Sequence, residues 1–315
     1  MPSTTGDLSR IAPVVCVVGP TASGKTDLAQ RLADALQGEV VSADSMQVYR
    51  GMDIGTGKLP AEERLVTHFG FDLVDPGEPF SAAMFQDYAR SCFQDIHSRG
   101  KRAVLCGGTG FYVRAAIDAY DFPAGEQVSN PVRETYTSYA QQHGAHALWV
   151  LLQERDPRSA AVIHENNVKR VVRAFELLEE GTCYADQLEK LQHIPQCVPA
   201  VFIGLEWPRE ALYERINTRV DEMLRIGLVY EVASLLNAGF REGVTAPQAI
   251  GYKELVEYLD GRQPLESAIE QIKQATRRYA KRQISWFKKD KRIHWLDAGS
   301  LGGEELLAEA LALAG

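Results

Sequence analysis

A chain of 315 residues, 45% hydrophobic and with a formal net charge of −8, can bury one large core with a second module inserted into it. No run approaches the ~20 consecutive apolar residues of a membrane span, and residues 1–10 lack a signal-peptide core, so a soluble cytoplasmic protein is expected. The acidic balance argues against nucleic-acid binding by bulk charge but leaves room for a local basic surface; Cys16, Cys92, Cys106, Cys183 and Cys197 form no C-x-x-C pair, which argues against a zinc or disulfide framework.

Residues 14–18 form a continuous apolar run ending at Gly19-Pro20, the pattern of a strand buried on both faces of a parallel sheet. A helix is expected from Thr26, with Leu28, Ala29, Leu32, Ala35 and Leu36 at helical spacing and Gly38 placed to end it. Short strands at 39–41, 71–74 and 103–106 alternate with helical patterns, one running from after Ser81 to near Gly100, which predicts an α/β doubly wound parallel sheet. After Ala116 the pattern changes. Residues 121–131 carry two prolines and little apolar order, and 132–191 read as charged helix. Residues 200–205 return as a strand, helices dominate 210–287, a last strand is expected at 293–296, and 304–314 close as an amphipathic helix. The expected organisation is a catalytic core of 10–118 and 200–315 around a helical insertion domain at 119–199.

Gly19-Pro20-Thr21-Ala22-Ser23-Gly24-Lys25-Thr26 fits G-x-x-x-x-G-K-[ST] between a strand and a helix, which makes the sheet P-loop NTPase-like. The glycines let successive N–H groups curl around phosphate oxygens, and the helix N-terminus adds its dipole. Lys25 would neutralise a terminal phosphate, and Thr26 would hold Mg²⁺. The pattern specifies a polyphosphate but not its chemistry. An ATP-dependent kinase also needs a second acidic residue at the end of an apolar strand, for which Asp75 and Asp44 are both placed. Asp44 follows the second strand and should sit at the carboxyl edge of the sheet beside the loop, with a capping aspartate as the alternative.

The loop followed by Asp44-Ser45-Met46-Gln47-Val48-Tyr49-Arg50-Gly51-Met52-Asp53-Ile54-Gly55-Thr56 resembles the bacterial tRNA dimethylallyltransferase (IPP transferase) family. The likeness continues through Gly107-Gly108-Thr109-Gly110-Phe111-Tyr112, Gly251-Tyr252-Lys253 and Lys281-Arg282-Gln283-Ile284-Ser285-Trp286-Phe287, nearly the whole chain. Two stretches depart from it. Gly55-Thr56-Gly57-Lys58-Leu59 stands where the family usually has Gly-Thr-Ala-Lys-Pro, and His68-Phe69-Gly70-Phe71-Asp72 where it has His-His-Leu-Ile-Asp.

The resemblance implies transfer of a dimethylallyl group from dimethylallyl diphosphate to the exocyclic amine of the adenosine 3′ of the anticodon in tRNA. Asp44 would be the general base, because the adenine amine lone pair is delocalised and its proton must be accepted as the bond forms. Lys25, Mg²⁺ on Thr26 and the loop amides would stabilise the departing diphosphate, with help from Arg215 or Arg219 if these are not simply solvated. Thr109 resembles the residue that hydrogen-bonds the diphosphate near its leaving oxygen. Asp44, Ser45, Met46 and Gln47 would grip bases of the anticodon loop.

Residues 265–289 read as one helix with an inner stripe of Leu265, Ile269, Ile272 and Thr276. Lys273, Arg277 and Lys281 form one cationic row and Arg278 and Arg282 another, followed by Trp286, Lys288 and Lys289, with no acidic residue between Glu270 and Asp290. This is the expected phosphate-backbone surface. By resemblance the tRNA surface would include Gly251, Tyr252, Lys253, Lys281, Arg282, Gln283, Trp286 and Lys288, with Arg133, Lys169, Arg170 and Arg173 from the insertion. The chain is expected to work as a monomer. Three alternatives remain open: a prenyltransferase acting on free adenine nucleotides, a P-loop small-molecule kinase, and a non-catalytic RNA-binding NTPase.

Overall fold

The computed structural model describes residues 8–122, 131–192 and 194–315. Most of the polar start and residues 123–130 of the proline-containing stretch lie outside the described residues. Six parallel strands, β1 (Val14–Val18), β2 (Glu39–Ser42), β3 (His68–Phe69), β4 (Ala103–Gly107), β5 (Ala200–Glu206) and β6 (Ile293–Asp297), form one sheet in the order β3-β2-β4-β1-β5-β6. β1 is central, with Val15 paired to Val104 on one side and to Val201 on the other. Its five residues are all buried, because side chains alternate between two faces that are both covered. Val14, Cys16 and Val18 point to helices α2 (Ala82–Ser98) and α3 (Gly110–Ile117). Val15 and Val17 point to α1 (Lys25–Ala35) and the last helix.

Local signals explain where these elements begin. The Ser81 hydroxyl accepts the Met84 N–H and starts α2. Gly24, at φ 89°, turns the chain into α1. The strand expected at 71–74 is absent, and the pairing falls earlier, with Val40 opposite His68 and Val41 opposite Phe69. Gly70 and Asp72 adopt φ of 89° and 56° and break the extended chain, and the Asp72 carboxylate turns inward to Lys58 Nζ at 2.6 Å. Val74 keeps only an isolated bridge to Tyr49.

The described residues divide into two compact units, Met1–Asp118 with Gln196–Gly315, and Ala119–Pro195. The second contains α4 (Pro131–His143), α5 (Ala145–Arg155), α6 (Pro157–Val162), α7 (Val168–Glu179) and α8 (Tyr184–Gln192), packed around Leu148, Leu152, Val171 and Phe175. The first continues after β5 with α9 (Arg209–Arg225), α10 (Leu228–Leu236), α11 (Tyr252–Leu259), α12 (Leu265–Phe287) and, after β6, α13 (Gly303–Ala314). Helices α9 to α12 share a separate apolar core with Val48, Tyr49 and Met52. The buried stripe of α12 is Ala268, Ile272, Ala280, Gln283 and Phe287, rotated from the expected one so that Ile269 is only half-buried.

In the second unit Arg133 and Arg173 donate to the buried Glu176 carboxylate at 2.6 and 2.9 Å. Burial alone would raise the Glu176 carboxyl, but these hydrogen bonds outweigh it and hold it below the ordinary value. The stability that this contributes is present above the carboxyl's unfolded value and is lost as pH falls through the lower folded one. Arg133→Ala should cost about 2 kcal/mol, a magnitude moderated because Arg133 is half exposed and Arg173 remains. Urea denaturation at neutral pH checks this, and an unchanged midpoint would mean that Arg173 suffices.

Candidate active site at the carboxyl edge of the sheet

The phosphate loop leaves β1 through Gly19 (φ 153°) and passes through Ala22 at φ 63° before Gly24. A left-handed alanine is a strained residue that its surroundings must hold. They do so from α9 and the segment before it: Arg215 Nε donates to Ala22 O at 2.9 Å and Trp207 Nε1 to Ser23 O at 2.9 Å. The Arg215 guanidinium lies 4.2 Å from the centre of the Trp207 ring. Arg215 thus braces the outside of the loop and does not line the cavity within it.

One turn along α9, Arg219 does line that cavity, together with Thr21, Ala22, Lys25, Thr26 and Asp44. The cavity encloses about 340 Å³. Burial pushes the Lys25 ammonium below its ordinary value, and nearby Arg219 reinforces this while Asp44 opposes it. Burial likewise lowers the Arg219 guanidinium, again opposed by Asp44. Two cations are thus held in a poorly solvated place beside one carboxylate. Apolar side chains of Val220, Met223, Leu228, Ile250 and Ile272 also line it, as does Arg282.

Asp44 is held by its own turn, with Oδ1 accepting the Met46 N–H at 2.9 Å. The turn is locked to the segment after β4: the Ser45 N–H donates to Thr109 Oγ1 at 3.1 Å, and the Thr109 N–H to Ala43 O at 3.3 Å. Gly107 is required here, since a Cβ on it would lie 2.2 Å from Ala43 O. Thr109 therefore touches the Asp44 turn directly and is not itself among the cavity-lining residues. The Gln47 amide is spent inside the protein: Oε1 accepts from Ser42 Oγ at 2.7 Å, and Nε2 donates to Thr56 O and Gly57 O at 3.2 and 3.3 Å. It thus braces the loop opposite while also lining the cavity. That loop is held from its other side by Glu231, whose carboxylate accepts the N–H groups of Asp53, Ile54 and Gly55 and the Tyr252 hydroxyl. Tyr252 is buried beneath Gly55, whose Cβ would lie 2.5 Å from the ring. Glu231 was not among the expected residues; its one signal is that it is the single charge in the otherwise uncharged α10.

The altered stretches also find their places. Lys58 is buried between the Asp53 and Asp72 carboxylates. His68 lines the cavity, and burial lowers its imidazole below the ordinary value. Asp75, the other candidate for a kinase-type carboxylate, is exposed and paired with Arg50 at 2.9 Å, away from the cavity. The cysteines are not nucleophiles at this site: burial pushes the Cys106 thiol, below Lys25, up to about 11.

Along α12 the cationic ridge divides. Lys273 pairs with Asp221 at 2.7 Å and Arg277 with Asn217 at 2.6 Å, both on α9. Lys281, Arg282, Ser285, Trp286 and Lys289 line a shallow outward cleft, and Lys288 reaches Glu206. Gln283 points inward, its amide spanning Thr21 and Gly108. Lys253 lines the cavity with Gly251 and Tyr252. In the second unit Lys169 and Arg170 are exposed, whereas Arg133 and Arg173, both expected to face tRNA, are committed to Glu176.

A doubly wound parallel sheet with a phosphate loop and a cavity lined by one carboxylate, by cations and by apolar side chains defines a P-loop protein whose site can take both an anion and an apolar group. The family described as IPP transferase matches residues 47–290, and the family described as isopentenyl transferase matches residues 12–68. The chain is 47% identical to the tRNA dimethylallyltransferase of Bacillus velezensis over 90% of each chain. It is 42% identical to a full-length tRNA isopentenylpyrophosphate transferase of known structure from Bacillus halodurans, with a TM-score of 0.70 over 96% of this chain and 95% of that one. A eukaryotic dimethylallyltransferase acting on tRNA aligns at 29% identity and a TM-score of 0.78, over 95% of this chain and 77% of that one. The chain belongs to the IPP transferase family.

A bound diphosphate ester would restore the Lys25 ammonium toward its ordinary value. Affinity for such an anion should therefore be full at pH below the lowered value of the free protein and fall as pH rises through it. Calorimetric titration through the alkaline range checks this. An affinity that stays flat up to the ordinary lysine value of 10.5 would contradict it.

Proposed function

We propose that this chain transfers a dimethylallyl group from dimethylallyl diphosphate to N6 of the adenosine 3′ of the anticodon in tRNA, giving N6-dimethylallyladenosine and diphosphate. The observation that carries the proposal is that Asp44, Lys25, Thr26 and Arg219 line one cavity together with the apolar side chains of Val220, Met223, Leu228, Ile250 and Ile272. The phosphate loop suits the leaving group and the apolar side chains suit a five-carbon tail, which gains roughly 0.8 kcal/mol for each CH₂ buried. ATP offers no such tail. A kinase would use a second carboxylate near its metal, and Asp75 lies elsewhere.

Asp44 acts as the base. One carboxylate oxygen is oriented by the Met46 N–H, which leaves the other to accept the amine proton as N6 attacks C1 of the prenyl group and the C–O bond to diphosphate breaks. Charge then accumulates on the diphosphate, where Lys25, Arg219 and the loop amides of residues 19–26 stabilise it. Arg215 serves the same loop from outside. Thr109 positions the Asp44 turn, its hydroxyl accepting the Ser45 N–H and donating to Ser45 Oγ.

Mg²⁺ fits the donors present. Mg²⁺ takes one or two protein oxygens and fills its shell with water and substrate phosphates, and Thr26 and Asp44 line the cavity while the described residues contain no three-ligand cluster. Thr26 would hold it, and when bound it would neutralise charge on the diphosphate.

The adenine reaches Asp44 by leaving its stack, at a cost of a few kcal/mol that is least in a single-stranded loop. We assign the backbone of that RNA to the outward side of α12 around Lys281, Arg282, Trp286 and Lys288; in the second unit the exposed Lys169 and Arg170 are proposed as RNA contacts of their own. Such a basic surface has no use in a prenyltransferase for free nucleotides. The reading needs no second copy of the chain. Among the described residues no helix is long and apolar enough to cross a membrane, and we place the protein in the cytoplasm.

Asp44→Ala should lower kcat by two or more orders of magnitude, the range contributed by a positioned base, while tRNA affinity changes far less. Single-turnover prenyl transfer checks this, and near-normal kcat would remove Asp44 from the role. Neutralising Lys281 and Lys289 together, which line only the outward cleft, should raise KM for tRNA without weakening the donor. For every RNA phosphate that the double variant no longer neutralises, the slope of log K against log salt should become shallower by roughly 0.7 to 0.9. Loss of thermal stability with an unchanged slope would make the two residues structural.

A further inference from the structure

Gln283 sits within the basic segment of α12, yet it faces away from solvent. Its Oε1 accepts the Thr21 N–H at 2.9 Å, and its Nε2 donates to Gly108 O at 2.9 Å. These partners are 262 and 175 residues away in sequence. Thr21 belongs to the phosphate loop, and Gly108 to the turn after β4. The amide fits only against a glycine, because a Cβ on Gly108 would come within 2.2 Å of Nε2. Trp286 of the same helix rests on the same turn. Its ring covers Gly110, where a Cβ would lie 2.1 Å from it.

A phosphate loop binds by aiming several N–H groups at one anion, and its affinity depends on how little those groups must be reordered on binding. At Thr21 the loop is pinned by a side chain from the far end of the chain. Removing that side chain would leave a peptide N–H and a carbonyl short of partners, and would release the loop from the turn that also holds the Asp44 segment. We propose that Gln283 is a positioning residue for the diphosphate site: it acts through the phosphate loop, by tying Thr21 to Gly108, and it is not an RNA contact. The proposal rests on reading the loop as the donor's diphosphate site. It separates Gln283 from its sequence neighbour Lys281, which lines the outward cleft, while Arg282 between them lines both the cleft and the cavity.

The test is Gln283→Leu, which keeps most of the volume and removes both hydrogen bonds. Binding of inorganic diphosphate and of dimethylallyl diphosphate is measured by calorimetry without RNA, and tRNA binding is measured at several salt concentrations. Both diphosphate ligands should weaken by roughly tenfold, while tRNA affinity and its salt slope stay as in the unsubstituted protein. Weaker tRNA binding with unchanged diphosphate binding would assign Gln283 to RNA and overturn the proposal, and so would no change in either. If inorganic diphosphate binds but the dimethylallyl ester gains nothing over it, the donor assignment fails. The diphosphate comparison then still judges Gln283.

Gln283→Glu covers the case in which the leucine variant does not fold. The protonated acid retains an acceptor for Thr21 and a donor for Gly108, whereas the ionised form loses the donor and puts a negative charge beside the loop. Its diphosphate affinity, taken as a ratio to that of the unsubstituted protein, should rise as pH falls through the introduced carboxyl's titration. A ratio that does not change with pH would overturn the proposal.

Discussion

Burying Lys25 and Arg219 beside one carboxylate leaves positive charge that is poorly solvated, and burial lowers both groups below their ordinary values. The fold tolerates this because the two side chains are presented from different elements. Lys25 comes from the start of α1 and Arg219 from the middle of α9, so neither can move away without disturbing the sheet or the helical layer packed on it. An incoming diphosphate supplies the missing negative charge. The same deficit explains how a carboxylate could share the cavity with an anion, since Lys25 and Arg219 both feel the Asp44 charge and remain to meet a second one.

The geometry is carried by backbone packing at the carboxyl edge of the sheet. Gly107 and Gly108 let the turn after β4 approach Ala43 on one side and Gln283 on the other, where side chains would collide. The carboxylate turn, the phosphate loop and α12 are thereby fixed to a single four-residue turn, 107–110. Glu231 performs the matching task on the opposite wall by gathering three successive N–H groups of the loop that carries Gly55. Departures from the family pattern fall on that wall. Gly57, where the family has alanine, adopts φ 61°, and a Cβ there would lie 1.7 Å from the Arg219 guanidinium, so this chain gives the arginine space that a side chain would occupy.

The phosphate loop, the order of strands and helices, and the place of Asp44 were legible because each follows from short-range rules: a buried apolar run, a glycine pattern, a strand end. What the sequence did not reveal depends on partners far away in the chain. Gln47 and Gln283 lie in motifs that suggest RNA contact, and only the folded chain shows their amides turned inward. Arg133 and Arg173 read as basic surface because Glu176, which they neutralise, is an ordinary helical glutamate in sequence. The strand expected at 71–74 was misplaced because its apolar pattern outweighed Gly70 and Asp72, whose left-handed backbone breaks the extended chain there. Lys273 and Arg277 of the α12 ridge are likewise absorbed by Asp221 and Asn217 on α9.

The central claim is that the cavity joins a prenyl diphosphate to an adenine presented by RNA. It is tested most directly by incubating the protein with labelled dimethylallyl diphosphate and Mg²⁺ in parallel with unmodified tRNA, with AMP and with ATP alone. The account predicts label in tRNA, at the adenosine 3′ of the anticodon, with diphosphate released in equal amount and no ATP turnover. Label appearing in AMP instead of tRNA, or ATP consumed without prenyl transfer, would contradict it.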